Sequence, residues 1–370
     1  MISNILQAMK CILLLVLITL SCFTIAYPGG ESHRIDNPLH EKCIAILRNS
    51  ITDTNPSVKL IAVFLTGETG LSFASKELET VLLTDTAPEI RARAAEAIGK
   101  SKDSTSIKAL QKALKKDKDA FSRACAAEAI GKLGDQSSLK HLKAALGDKD
   151  ELVRVAATEA MIRLGDKGNF GNLLAALKSD NPQVRRWACD AFVNLNNKSA
   201  LEDLRVIAQN DNDPLVKIWA ARAVLLLSTD DPKGVREKYS IIIADFTQND
   251  SPGVRSRVAC ALGDVNTGSS LKILKSMLGN NNENTTVKLW AAEAMGKLGS
   301  RSLGPLRSAA RNDSNPGVRI WSAEAMGRLG RINPALSMIT PLLQDEDAIT
   351  RLHAAKAILN LMKDEREPHS

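Results

Sequence analysis

Aromatic residues are scarce in this 370-residue chain, at 4% of the total, and only two are tyrosines. Strand-favouring runs are almost absent, so there is little from which to build a β-sheet. The abundance of alanine suits closely packed helices instead. Cysteine is sparse too. Cys11 and Cys22 lie in the first 26 residues, while Cys43, Cys125, Cys189 and Cys260 are spread along the rest. No HExxH, Walker-type loop or GxSxG occurs, and the five histidines are scattered, which leaves no catalytic or metal-ligand constellation. No cofactor is expected. Nor does charge of one sign dominate: 49 basic against 42 acidic residues, a net +7, are interspersed throughout. That balance permits an acidic partner but reads first as a solvated mixed-charge surface.

Long hydrophobic runs are missing after the first 26 residues. Lys10 precedes a charge-free run from Ile12 to Ile25, too short for a membrane span of about 20 residues. It fits the apolar core of a secretory signal, with Thr24-Ile25-Ala26 as the small-residue cleavage site. Ser21-Cys22 also admits lipidation at Cys22, though Thr19 and Leu20 suit that pattern poorly. The expected organisation is a signal peptide over 1–26, a linker over 27–37 and a folded array over 38–365. The expected location is exported: periplasm, cell surface or secreted. Membrane contact is expected only through a lipid on Cys22 or an uncleaved leader.

Periodicity dominates what remains. A basic residue following a turn recurs ten times, at Lys59, Arg91, Arg123, Arg154, Arg185, Lys217, Arg255, Lys288, Arg319 and Arg351. The intervals are 31 to 33 residues, except for 38 between Lys217 and Arg255, which places a longer connection near 228–234. Asn55-Pro56, Asn181-Pro182, Asp213-Pro214, Ser251-Pro252 and Asn315-Pro316 write helix starts, with a capping side chain before a proline that has no N–H to leave unpaired. Gly134, Gly165, Gly299 and Gly330 write helix ends. Counting from the basic residue as zero, positions −1, +3, +7 and +10 are apolar, and at ~100° per residue they fall within about an 80° arc. An apolar helix precedes each such helix, as at Ile107–Leu114 and Leu271–Leu278. A pair of this length cannot bury both stripes alone and must stack on its neighbours. Recurrent Gly at +8 (Gly99, Gly131, Gly263, Gly296, Gly327) points to close approach of adjacent second helices, because mid-helix Gly otherwise costs about 1 kcal/mol.

The segments PEIRARAAEAIG (Pro88–Gly99) and PGVRIWSAEAMG (Pro316–Gly327) resemble HEAT repeats, over roughly residues 38–362. More narrowly, they look like the short bacterial type shared by phycobiliprotein lyase subunits and deoxyhypusine hydroxylases. The resemblance implies an all-α, right-handed α-α superhelix of about ten helix pairs, with the second helices lining its concave face. It also implies that Arg91, Arg123, Arg154, Arg185, Arg255, Arg319 and Arg351 bond neighbouring turns in a ladder. Hydroxylases of this type bind two irons through His-Glu pairs just after the repeat arginine. Here those positions read, for example, Ala92-Arg93, Arg186-Trp187 and Leu352-His353, and none is His-Glu. Phe64 and Thr69 depart from the pattern in the first repeat, as expected of a terminal capping unit.

All four tryptophans, Trp187, Trp219, Trp290 and Trp321, occupy position +2, which lies with +5 and +9 about 130° from the buried stripe. Either each indole covers the neighbouring helix while Glu at +5 and Lys at +9 form i,i+4 pairs, or the aromatics form a ladder on the inner wall with Arg257 between Trp219 and Trp290. The expectation is a non-catalytic scaffold that binds a protein or peptide through Trp187, Trp219, Arg257, Trp290, Trp321, Glu293 and Glu324. The alternative is a lyase-like or enzyme-accessory activity. Nucleic acid is disfavoured, because the inner positions of the N-terminal half carry at least as many Glu as basic residues.

Overall fold

The computed structural model describes residues 37–228 and 233–364. The expected leader, the linker before Asn37 and positions 229–232 of the longer connection lie outside the described residues. Among the described residues, twenty α-helices form ten consecutive pairs: α1 (Pro38–Ser50) with α2 (Pro56–Thr69), α3 (Ser75–Thr84) with α4 (Pro88–Ser101), α5 (Ile107–Lys116) with α6 (Ala120–Leu133), α7 (Leu139–Ala145) with α8 (Glu151–Arg163), and α9 (Phe170–Ala176) with α10 (Pro182–Asn194). They continue with α11 (Leu201–Asn210) and α12 (Pro214–Leu227), α13 (Lys233–Ala244) and α14 (Pro252–Val265), α15 (Ser270–Gly279) and α16 (Thr285–Gly296), α17 (Leu303–Asn312) and α18 (Pro316–Arg328), and α19 (Ile332–Ile339) and α20 (Ala348–Asp364). Among the described residues there is no strand, and no helix is long and apolar enough to cross a membrane.

The capping chemistry holds in detail. Asn55, Asn181, Asp213 and Asn315 accept hydrogen bonds from backbone N–H groups of the helices they start. Ser251 is the exception and makes no side-chain cap bond. Gly134 ends α6 with φ +73, a left-handed turn that a side chain would strain. The apolar stripe is buried at −1, +3 and +7 of α10, where Val184, Ala188 and Phe192 are all inaccessible to solvent, while Leu133, Leu195 and Leu329 at +10 are partly buried.

The small residues at +8 have a direct geometric cause. A Cβ placed on Gly99 would stand 2.9 Å from the Cα of Ala129, and one on Gly131 would stand 2.8 Å from the Cα of Ala160. Gly99, Gly131 and Gly263 thus admit the backbone of the next second helix, while Gly296 and Gly327 face the side chains of Arg328 and Leu361. Repeats four to six carry Ile162, Val193 and Leu225 there instead.

The basic residues tie successive turns together. Arg123 donates from Nε and Nη2 to both carboxylate oxygens of Asp148 at 2.8 Å, while its Nη1 reaches the carbonyls of Asp117 and Lys118. Arg91 with Asp117, Arg185 with Asp211, Arg255 with Glu283, Lys59 with Asp85 and Lys288 with Asp313 repeat the pairing. Arg154, Arg319 and Arg351 keep only the bonds to carbonyls of their own turns. Burial raises the Asp117, Asp148 and Asp211 carboxyls, but the arginine and backbone hydrogen bonds outweigh it, and all three lie below the usual carboxylate range.

The array closes on itself. The second helices, α2 through α20, pack side by side in order, and α20 packs in turn against α1 and α2. Like neighbours among the first helices touch more sparsely, as they must on the longer outer circumference. The first repeat is therefore not a solvated cap. Lys363 of α20 hydrogen-bonds the carbonyl of Thr69, and the faces of α1 and α2 that would end an open solenoid are covered.

Candidate functional site

Closure turns the expected concave groove into the wall of a central opening. Positions +2, +5 and +9 of the ten second helices form three rows around it. At one level the opposite walls share an open cavity of about 420 Å³, lined by Leu60, Ile61, Phe64 and Glu68 from α2, Glu89, Arg93, Glu96 and Lys100 from α4, Arg257 from α14 and Trp290 from α16. Repeats one and two thus face repeats seven and eight.

Charge along the wall is paired almost completely, and mostly between repeats. The expected i,i+4 pairs exist at Glu128–Lys132 and Glu159–Arg163. Elsewhere the base reaches the acid of the neighbouring repeat: Lys100–Glu68 at 2.5 Å, Lys297–Asp264 at 2.7 Å and Arg328–Glu293 at 2.7 Å. Arg222 bridges Asp190 and Asp264.

The four tryptophans have different surroundings. Trp187 donates its indole N–H to Glu159 and Trp219 to Asp190. Enclosure by the ring pushes the Asp190 carboxyl up to about 6 even against the pull of Arg222 and Trp219. Trp290 is half-buried, in edge contact with Trp321 at 5.8 Å between centroids. Arg257 stands between Trp219 and Trp290, its guanidinium carbon 5.9 and 5.7 Å from the two ring centroids, as the register of the repeats anticipates. Trp187, Trp219, Arg257, Trp290 and Glu293 all keep partial exposure on the inner wall.

Trp321 and Glu324 do not. Trp321 is 4% exposed and Glu324 1%. The last repeat covers them: Trp321 donates to Nδ1 of His353 at 2.8 Å, and Glu324 accepts from Lys356 and Asn360. Burial raises the Glu324 carboxyl, but Lys356 and Arg328 outweigh it and hold it down. Burial, then Lys356, lowers His353 to about 4, so its imidazole is neutral with Nδ1 as acceptor. These two residues are part of the packed interior, and the expectation that all four indoles line an exposed wall is corrected here.

The residues of the opposite wall escaped the sequence analysis. Phe64 stood out at +5, where acids prevail, but only closure places it before Trp290.

The sequence matches the family model described as HEAT repeats over residues 75–162, 171–236 and 242–327. No curated protein matches it. Among solved structures it is similar to human deoxyhypusine hydroxylase in complex with glycerol, at 19% identity and TM-score 0.38, covering 79% of this chain and 97% of that one. It is also similar to the complex of CpcE and CpcF of phycocyanin lyase from Nostoc sp. PCC7120, at 17% identity and TM-score 0.41, covering 83% and 98%. A third is the karyopherin Kap121p bound to the extreme C-terminus of the protein phosphatase Cdc14p, at 13% identity and TM-score 0.36, covering 89% and 38%.

Proposed function

The chain belongs to the HEAT-repeat family, and on that footing we propose that it is a non-catalytic scaffold that holds a protein or peptide segment against its inner wall. The observation that carries this reading is the cavity itself. Phe64, Ile61 and Leu60 on one side and Trp290 on the other present apolar surface to an open space, rimmed by Glu68, Glu89, Arg93 and Lys100. Apolar walls with a few charged groups suit recognition of a short segment, and exposed Trp and Arg are frequent binding anchors. Trp187, Trp219 and Glu293 extend the same wall to either side.

Affinity capture from the native envelope fraction, with the wild-type chain beside Trp290→Ala, tests the reading. The expected result is a partner retained by the wild type and weakened at least tenfold by the variant, with helical content unchanged. Equal retention by both chains, or a variant that fails to fold and shows no separate binding effect, returns Trp290 to a packing role. We propose further that the protein works outside the cytoplasm, on the strength of the charge-free run Ile12–Ile25 after Lys10.

A further inference from the structure

The inner wall leaves its positive charge unbalanced in one place. Of the basic side chains in the three rows, Arg93, Lys100, Lys132, Arg163, Arg222, Lys297, Arg328 and Lys356 each have a carboxylate within 3.1 Å. Arg257 has none among the described residues. Its charge is met only by the faces of Trp219 and Trp290, and no protein acceptor takes its N–H donors.

The acids of the flanking repeats are already engaged. Asp190 is engaged by Trp219 and Arg222, and Asp264 by Arg222 and Lys297. Asp213 caps α12. A guanidinium stacked between two indoles and lacking a carboxylate keeps its N–H donors open to an anion. Arginine's planar fork suits a carboxylate in two-point contact. The rest of the cavity narrows the choice of anion. Glu68, Glu89 and Glu96 line the same space as Arg257, and they would repel a polyanion more strongly than a single carboxylate.

We propose that the segment taken into the cavity is acidic, with a side-chain or terminal carboxylate received by Arg257 and an adjoining apolar side chain against Trp290, Ile61 and Phe64. This inference rests on the reading of the cavity as a peptide-binding site and names the peptide's chemistry.

A random octapeptide library passed over the immobilised full chain tests it, with the retained peptides sequenced. The expected result is enrichment of Asp and Glu over Asn and Gln beside an apolar residue, falling about tenfold with Arg257→Gln. Arg257→Met, which keeps a flexible apolar side chain between the two indoles and removes the charge, should reduce it equally and serves if Arg257→Gln fails to fold. Retention with apolar but no acidic preference overturns the inference and leaves the cavity reading standing. No retention by the wild-type chain overturns both. Acidic enrichment that survives both substitutions places the carboxylate elsewhere and overturns the inference.

Discussion

Lys363, in the last turn of α20, donates a hydrogen bond to the carbonyl oxygen of Thr69, 294 positions earlier in the chain. That bond marks a seam at which Leu352, Ile358, Leu359 and Leu361 are at most 1% exposed. Burying such side chains is worth about 1.5–3 kcal/mol each. Truncation after Asp347 should therefore expose α1 and α2 as well as α18. Limited proteolysis with mass spectrometry should find new cleavage within 38–69. Cleavage confined to the C-terminal repeats would mean that the array is open.

Gly131→Ala should destabilise the chain by roughly 1–2 kcal/mol, because the new methyl meets the backbone of Ala160 at 2.8 Å and overpacking outweighs the ~1 kcal/mol gain in helix propensity. Gly171 in α9 has open space around it, so Gly171→Ala should stabilise by a few tenths to about 1 kcal/mol. Denaturation midpoints of the two variants should move in opposite directions.

Arg123→Ala should cost about 3 kcal/mol in chemical denaturation. It leaves the carboxylate of Asp148, with its side chain 16% exposed, without its two-point partner and frees two carbonyls at once. Arg154→Ala, which removes no carboxylate pair, should cost less. The depressed carboxyls of Asp117, Asp148 and Asp211 stabilise the fold above the ordinary carboxylate range. That contribution is lost as pH falls through their folded values.

Two groups titrate with opposite sign at milder acidity. His353 is lowered to about 4, so the stability linked to its neutral form is present above about 6.5 and is lost on acidification, by on the order of 3 kcal/mol. Asp190 is raised to about 6, so its contribution is present below about 4 and is lost as pH rises through 6, and it is small because the side chain is 39% exposed to screening solvent. His353→Gln should flatten or reverse the loss of stability between pH 6.5 and 4. Asp190→Asn should steepen it. Thermal midpoints across this range decide the matter, and identical profiles for both variants and wild type would refute the assignment.

Expression with the leader intact in an exporting host should yield a mature chain beginning at Tyr27, read by N-terminal sequencing. A lipid-modified mass starting at Cys22 would establish anchoring instead, and an intact Met1 would speak against export.

Helix pairs, caps and the close approach at +8 were legible because each follows from residues within about one repeat of each other. Closure was not. It accumulates from small rotations between repeats, none of which has a residue of its own, so Phe64 read as an end-cap feature although it faces Trp290 across the opening. Burial diverged for the same kind of reason. Trp290 and Trp321 share position +2, but His353 and Lys356 cover only the second. Register places a side chain on a helix face, while its exposure depends on which repeat comes next.

An open solenoid can fray from either end, losing one repeat interface at a time. In this ring every repeat has neighbours on both sides, so releasing any one of them breaks two interfaces before any chain entropy is recovered. The barrier to unfolding should therefore grow out of proportion to the stability of a single repeat, and resistance to slow proteolysis should be a property of the closed circle as a whole.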